Sequence, residues 1–198
     1  MLLYDSGTSG NCYKVRLLLA HLGIAYERRE VDVVDRSNRK ELLGELNPAL
    51  RVPTLVFDDG RSMGESDAII WYLAEGTQYA PLDPWGRAKA LQWMFFEQYS
   101  HEPNIAVARF WLHVLGAPPS EEALAEKQRL GYLALEALES GLEGKEFLVA
   151  DRYSVADIAL YAYTHVADEG GFDLARYPAI RAWCGRVVAQ PGHIPIDA

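Results

Sequence analysis

The hydrophobic pattern of this chain changes character once, and that change dictates its organisation. Over roughly the first 75 residues, strand-like and helix-like signals alternate. From Tyr79 to Pro84 the periodicity lapses and Pro81 and Pro84 punctuate the chain, and beyond this point every strong signal is helical. The pattern therefore calls for a small α/β unit followed by an all-α unit, and no strand is needed after the boundary.

Within the first part, Leu2 to Tyr4 reads as a strand and Asn11 to Leu22 as an amphipathic helix, apolar at Val15, Leu18, Leu19 and Leu22 and closed by Gly23. Glu27 to Val33 reads as a second strand, rich in β-branched residues, and Ser37 to Leu43 as a short helix. Asn47-Pro48 marks a turn, Thr54 to Phe57 a strand, and Asp58-Asp59-Gly60 a hairpin into Arg61 to Met63. Glu65-Ser66 then precedes Ala68, Ile69, Tyr72 and Leu73, which suits a helix with a serine cap and an acid beside its positive end. The order is βαβ, then ββα, on a mixed sheet. The later helical signals are Trp85 to Leu115, Glu121 to Leu142, Val155 to Val166 and Pro178 to Ala189. The expected division is residues 1–76, a linker at 77–85, and a helical domain at 86–198.

Composition removes several function classes. Lys and Arg total 19 against 28 Asp and Glu, a net charge of -9, which opposes the phosphate attraction that nucleic-acid binders use. Two cysteines, Cys12 and Cys184, are too few for a secreted disulfide scaffold, and the chain opens on a strand-like run without a signal sequence, so a cytoplasmic location is expected. No apolar run approaches the roughly 20 residues of a spanning helix, so no membrane association is expected. His101, His113 and His165 show no ligand spacing with one another or with either cysteine, and no metal is expected.

The chemistry-bearing motif is Ser9-Gly10-Asn11-Cys12, at the junction of first strand and first helix. Backbone N–H groups and the positive end of the helix favour an anion or thiolate there. The spacing is that of a Cys-x-x-Cys redox motif with its first cysteine replaced by serine. Ser9 also suits a plain N-cap, and Cys12 suits a buried structural thiol. At Val52-Pro53 the residues alone favour a trans peptide, since only about 5% of X-Pro bonds are cis. Ser154 and Asp157 fit a capping box, with Tyr153 and Ile158 as staple partners. Trp93, Phe95, Phe96, Tyr99, Phe110 and Trp111 supply core with some faces toward a cleft, and Pro103 is expected to kink or break the first long helix near His101 and Asn104.

Taken in order, Ser9 at the first turn, Val52-Pro53 before a strand, Glu65-Ser66 at a helix start and Tyr153 to Ile158 in the helical part make the whole chain resemble the cytosolic glutathione transferases, serine-type and bacterial-like. The resemblance implies a thioredoxin-like N-terminal domain, a helical C-terminal domain lining the second-substrate site, and a homodimer. It implies glutathione as cosubstrate and a small hydrophobic electrophile as partner, in detoxification chemistry. Ser9, with Asn11, would stabilise the thiolate. A cis Val52-Pro53 would expose the Val52 N–H and C=O for pairing with the cysteinyl backbone of glutathione, Arg51 would meet its glycyl carboxylate, and Glu65 and Ser66 would hold its γ-glutamyl end. Leu50 departs from members that carry a polar residue or glycine there. Two alternatives stay open: glutathione-dependent disulfide or peroxide reduction, and a non-catalytic binding module on the same fold. Maleylacetoacetate isomerisation is disfavoured, because Gly10-Asn11 stand where that subgroup carries Ser-Cys.

Overall fold

The computed structural model describes residues 1–198. Its backbone divides into two compact units, one of Met1–Thr77 together with Pro191–Ala198, the other Gln78–Gln190. The segment from Pro191 onward, which the pattern assigned to the helical part, instead belongs with the first unit.

The first unit runs β1 (Leu2–Asp5), α1 (Gly10–Leu22), β2 (Glu27–Glu30), α2 (Arg39–Leu43), β3 (Thr54–Val56), β4 (Ser62–Met63) and α3 (Ser66–Ala74). The strand order is β2-β1-β3-β4. β1 is parallel to β2, as the α1 crossover requires, and antiparallel to β3, which pairs antiparallel with β4. Leu3 stands opposite Leu55, both fully buried, while Tyr4, Val31 and Leu43 form a core cluster with Leu2, Leu46 and Val56 against it. β2 is shorter than its β-branched run suggested: it ends at Glu30, and its four residues, Glu27-Arg28-Arg29-Glu30, are all exposed. Charges on this edge strand deter pairing with another sheet.

Helix α1 is capped as its sequence dictates. Ser9 holds an extended backbone and its Oγ accepts the Cys12 N–H at 3.3 Å. At the other end Gly23 takes the left-handed conformation (φ 64°) and its N–H reaches the Ala20 carbonyl. The helix is not amphipathic, however. Every residue from Cys12 to Leu19 is buried, including Lys14 and Arg16. The Arg16 guanidinium lies 2.9 Å from both oxygens of buried Asp5 and also donates to the Ile196 carbonyl, while the Tyr13 hydroxyl donates to the Ile194 carbonyl at 2.7 Å. The segment after Pro191 thus covers a face that periodicity had left to solvent.

In the second unit α4 (Pro84–Phe96) begins with Pro84 behind an Asp83 cap that accepts the Gly86 N–H at 2.9 Å. Pro103 does not break the helix that follows. A π-helical turn (Glu97–His101) leads into α5 (Glu102–Arg109), so the missing Pro103 N–H is absorbed by widening the helix just ahead of it. A second π-helical turn spans Phe110–Val114. α6 (Glu121–Leu142) starts at a Ser120 cap, and α8 (Pro178–Val188) packs against it. α7 (Val155–Thr164) is buried along its whole length and carries the expected Ser154/Asp157 capping box.

Candidate active site

Two helix N-termini meet in the first unit. Asn11, in the first turn of α1, accepts through Oδ1 a hydrogen bond from Ser66 Oγ at the start of α3, at 3.3 Å. Beneath them the fully buried Lys14 ammonium donates to Ser66 Oγ at 3.4 Å and to Asp67 Oδ1 at 3.0 Å. The N–H groups of two helix starts converge here, an arrangement suited to an anionic ligand, while the Lys14 charge is matched by Asp67. Ser9 lies one residue before α1, half-buried. Its Oγ accepts from Cys12, and its O–H keeps the capacity to donate.

The start of α3 differs from the expected serine cap. Glu65, not Ser66, is the capping residue; its side chain makes no capping hydrogen bond, and Ser66 is the first helical residue. Glu65 has φ 62°, a left-handed conformation that costs a non-glycine residue about 1 kcal/mol. Its carboxylate is consequently exposed rather than folded back over the helix end.

The Val52-Pro53 peptide is cis, as the resemblance implied and the residues alone did not. Neither the N–H nor the C=O of Val52 makes a hydrogen bond within the chain. The preceding carbonyls are fastened: Asn47 Nδ2 donates to the Arg51 carbonyl at 3.1 Å and to Thr54 Oγ1 at 2.9 Å, Thr54 Oγ1 donates to the same Arg51 carbonyl at 2.8 Å, and Arg39 donates to the Leu50 carbonyl at 3.0 Å. The Arg51 side chain itself is exposed. Gly64 places this loop beside the start of α3, because a Cβ there would lie 2.6 Å from Asn47 Nδ2. Gly64→Ala is therefore expected to push Asn47 off the Arg51 carbonyl. Denaturant unfolding should then show a loss of about 1 kcal/mol, the worth of the hydrogen bond that is broken.

Cys12 is fully buried, and burial, reinforced by the negative charge of Asp5, pushes its thiol far above the ordinary cysteine range. It is a packing residue with no thiolate to offer near neutral pH. Cys184, in α8, is likewise pushed up to about 12 by burial. Neither cysteine is in a disulfide, and no group of three or more His, Cys, Asp or Glu side chains is arranged to hold a metal ion.

Of the residues singled out from the sequence, the structure joins Asn11 to Ser66 and leaves Arg51 and Glu65 with side chains in solvent. Sequence reasoning missed Lys14, Asp67 and Asn47. A signal existed for Lys14: positions 11 and 14 share a helix face, so a cation three residues after Asn11 belongs to the same corner. Asn47 looked like turn chemistry only, and its grip on residues 51 and 54 is a tertiary contact.

A four-stranded mixed sheet of this order, followed by a helical domain, defines the two-domain form of the thioredoxin-like architecture. The chain belongs to the glutathione S-transferase family: residues 8–75 match the family's N-terminal domain and residues 93–191 its C-terminal domain. Its structure is similar to the crystal structure of a glutathione S-transferase from Pseudomonas fluorescens Pf-5, with 48% identity, a TM-score of 0.96 and 98% of each chain covered. Among characterised sequences it is 31% identical to the glutathione S-transferase-like protein LUC7 of a Fusarium species, over 94% of this chain and 87% of that one. It is 29% identical to the disulfide-bond oxidoreductase YfcG of Escherichia coli K12, over 91% of this chain and 87% of that one. No helix is long and apolar enough to cross a membrane.

Proposed function

We propose that this protein is a glutathione transferase that joins the glutathione sulfur to small electrophilic compounds. The observation that carries the proposal is the Asn11–Ser66 contact, which puts the starts of α1 and α3 side by side, one for a sulfur anion and one for a carboxylate. Glutathione would lie along the free Val52 peptide as an added strand, its γ-glutamyl end at Glu65 and Ser66 and its glycyl carboxylate toward Arg51. Its thiol, with an ordinary pKa near 8.5, must ionise near neutral pH. A hydrogen bond donated by Ser9 and a second from the Asn11 amide supply about 1.5–3 kcal/mol each to the charged form. Glutathione is the cosubstrate, and detoxification in the cytoplasm is the setting this chemistry suits.

Disulfide reduction is the second reading, favoured by the similarity to YfcG. The protein's own thiols do not suit it, since Cys12 is buried and held protonated. Any such reaction would run through glutathione itself: its thiolate attacks a mixed glutathione disulfide, releasing the other thiolate and forming oxidised glutathione. Calorimetry with glutathione, followed by turnover on an activated aryl halide and on a mixed disulfide, separates the readings. Saturable binding with faster aryl-halide turnover is the expected result. Binding with disulfide turnover alone would give the second reading, and no binding would leave only a binding module on this fold.

We further infer that the protein works as a homodimer. Trp85 and Phe95 on α4, Tyr99 on the following π-helical turn and Leu133 on α6 are large apolar side chains exposed to solvent, Tyr99 at 86%. Phe96, Tyr99, Leu130 and Leu133 line a groove of about 540 Å³ in the second unit, which a second copy would fill. Tyr99→Glu is expected to halve the mass measured by light scattering at micromolar concentration; an unchanged mass would remove this face from the interface.

A further inference from the structure

Lys14 has no role in the chemistry described so far, and its place needs an explanation. A fully buried ammonium costs several kcal/mol to desolvate, and a Lys–Asp pair is commonly matched or bettered in stability by apolar side chains of the same volume. Stability alone does not call for it. The hydrogen bonds around it run in one direction. Lys14 Nζ donates to Ser66 Oγ, and the Ser66 hydroxyl donates its hydrogen bond to Asn11 Oδ1. An ammonium has donors only, so Ser66 Oγ must accept from Lys14, and its own O–H is directed to Asn11 Oδ1. The carbonyl end of the Asn11 carboxamide is thereby pinned toward α3, and its N–H end is turned the other way. A thiolate needs the N–H end, because the carbonyl end would repel it.

Resting on the glutathione reading above, we propose that Lys14 is a positioning residue, which acts through Ser66 to hold the Asn11 carboxamide with its N–H donors toward the glutathione sulfur. The ion pair with Asp67, at 3.0 Å, fixes the ammonium at the start of α3. The two ends of the ligand are thereby linked: the serine that meets the γ-glutamyl group also sets the orientation of a thiolate donor.

The test measures the pKa of bound glutathione by ultraviolet absorbance, alongside the Kd by calorimetry. Lys14→Met removes the donor but leaves Asp67 uncompensated, so it is paired with Lys14→Met/Asp67→Leu, which replaces the ion pair by apolar packing and preserves the fold. In both variants the thiol pKa is expected to rise by about one, which means roughly tenfold less thiolate at neutral pH, while Kd changes by less than about threefold. Asn11→Ala should raise the pKa similarly, and adding Lys14→Met/Asp67→Leu to Asn11→Ala should raise it no further, because the two act as one unit. A wild-type thiol pKa in the folded double variant, or a full second rise on the Asn11→Ala background, would overturn the proposal. Absence of glutathione binding by the unmodified protein is a different result and would fall on the glutathione reading instead.

Discussion

Ser9→Ala is expected to raise the pKa of bound glutathione by about 1–2 and to lower kcat/KM by roughly 10- to 100-fold at neutral pH, with little change in Kd. A hydrogen bond to a charged acceptor is worth about 1.5–3 kcal/mol, and 1.36 kcal/mol is one pKa unit. The Ser9 hydroxyl is suited to this because it only accepts in its contact with the Cys12 N–H, at 3.3 Å, so that its rotatable O–H can be given to a ligand. The same substitution removes an N-cap, at about 1 kcal/mol of stability. Denaturant unfolding measures that cost separately, so the catalytic effect can be read on folded protein. The pH profile of kcat/KM should move to the alkaline side together with the absorbance titration. An unshifted profile would mean that Ser9 only caps α1, and thiolate stabilisation would then fall to Asn11 and the helix start.

The largest effect on stability is expected from Asp157→Ala. The Asp157 carboxylate is fully buried in the second unit and accepts four hydrogen bonds, from the N–H groups of Leu148 and Ser154, the Ser154 hydroxyl and the indole of Trp183, at 2.9–3.2 Å. Alanine would strand all four donors in a dry interior and open a cavity beside Trp183. The cost is about 3–5 kcal/mol, enough to unfold a marginal domain. The expected readout is a large drop in the denaturant midpoint, or loss of soluble protein.

Asp157 also gives a pH dependence with a definite sign. Burial raises its pKa to about 6 from an ordinary 3.8, outweighing the donors that favour the ionised form. A carboxyl whose folded pKa exceeds its unfolded one stabilises the fold below the unfolded value and loses that contribution as pH rises through the folded value. Wild-type stability relative to a folded Asp157 variant should therefore be greater at pH 5 than at pH 7, by about 1 kcal/mol. A gap that narrows on acidification would contradict the assignment.

Much of this architecture was legible because its signals are local. The Ser9 cap, the Gly23 stop, the hairpin at Asp58-Asp59-Gly60 and the Ser154/Asp157 box are each written within a few residues, and the structure places each where the sequence did. Local signals failed where a neighbour overrode them. β2 ends early because Val31 is drawn into the core with Tyr4 and Leu43. Pro103 leaves a π-helical turn in place of a break because the surrounding helices hold the segment in line. The candidate site divides along the same line. Ser9, Asn11 and Glu65-Ser66 stand at helix starts that periodicity locates, whereas Asn47 enters only because Gly64 admits it to the Arg51 carbonyl.

The sequence by itself determined the order of elements, the division into an α/β and a helical part, and the positions of the starts of α1 and α3, since these follow from periodicity and capping along neighbouring residues. Tertiary structure alone decided that α1 is buried all round, that the segment after Pro191 returns to cover it, and that Lys14 sits under Ser66 rather than in water. The physical reason is that a charged side chain on a helix reads as solvent-facing until a partner distant in sequence removes the water. Asp5 does this for Arg16 and Asp67 for Lys14, and no pattern within one helix records either.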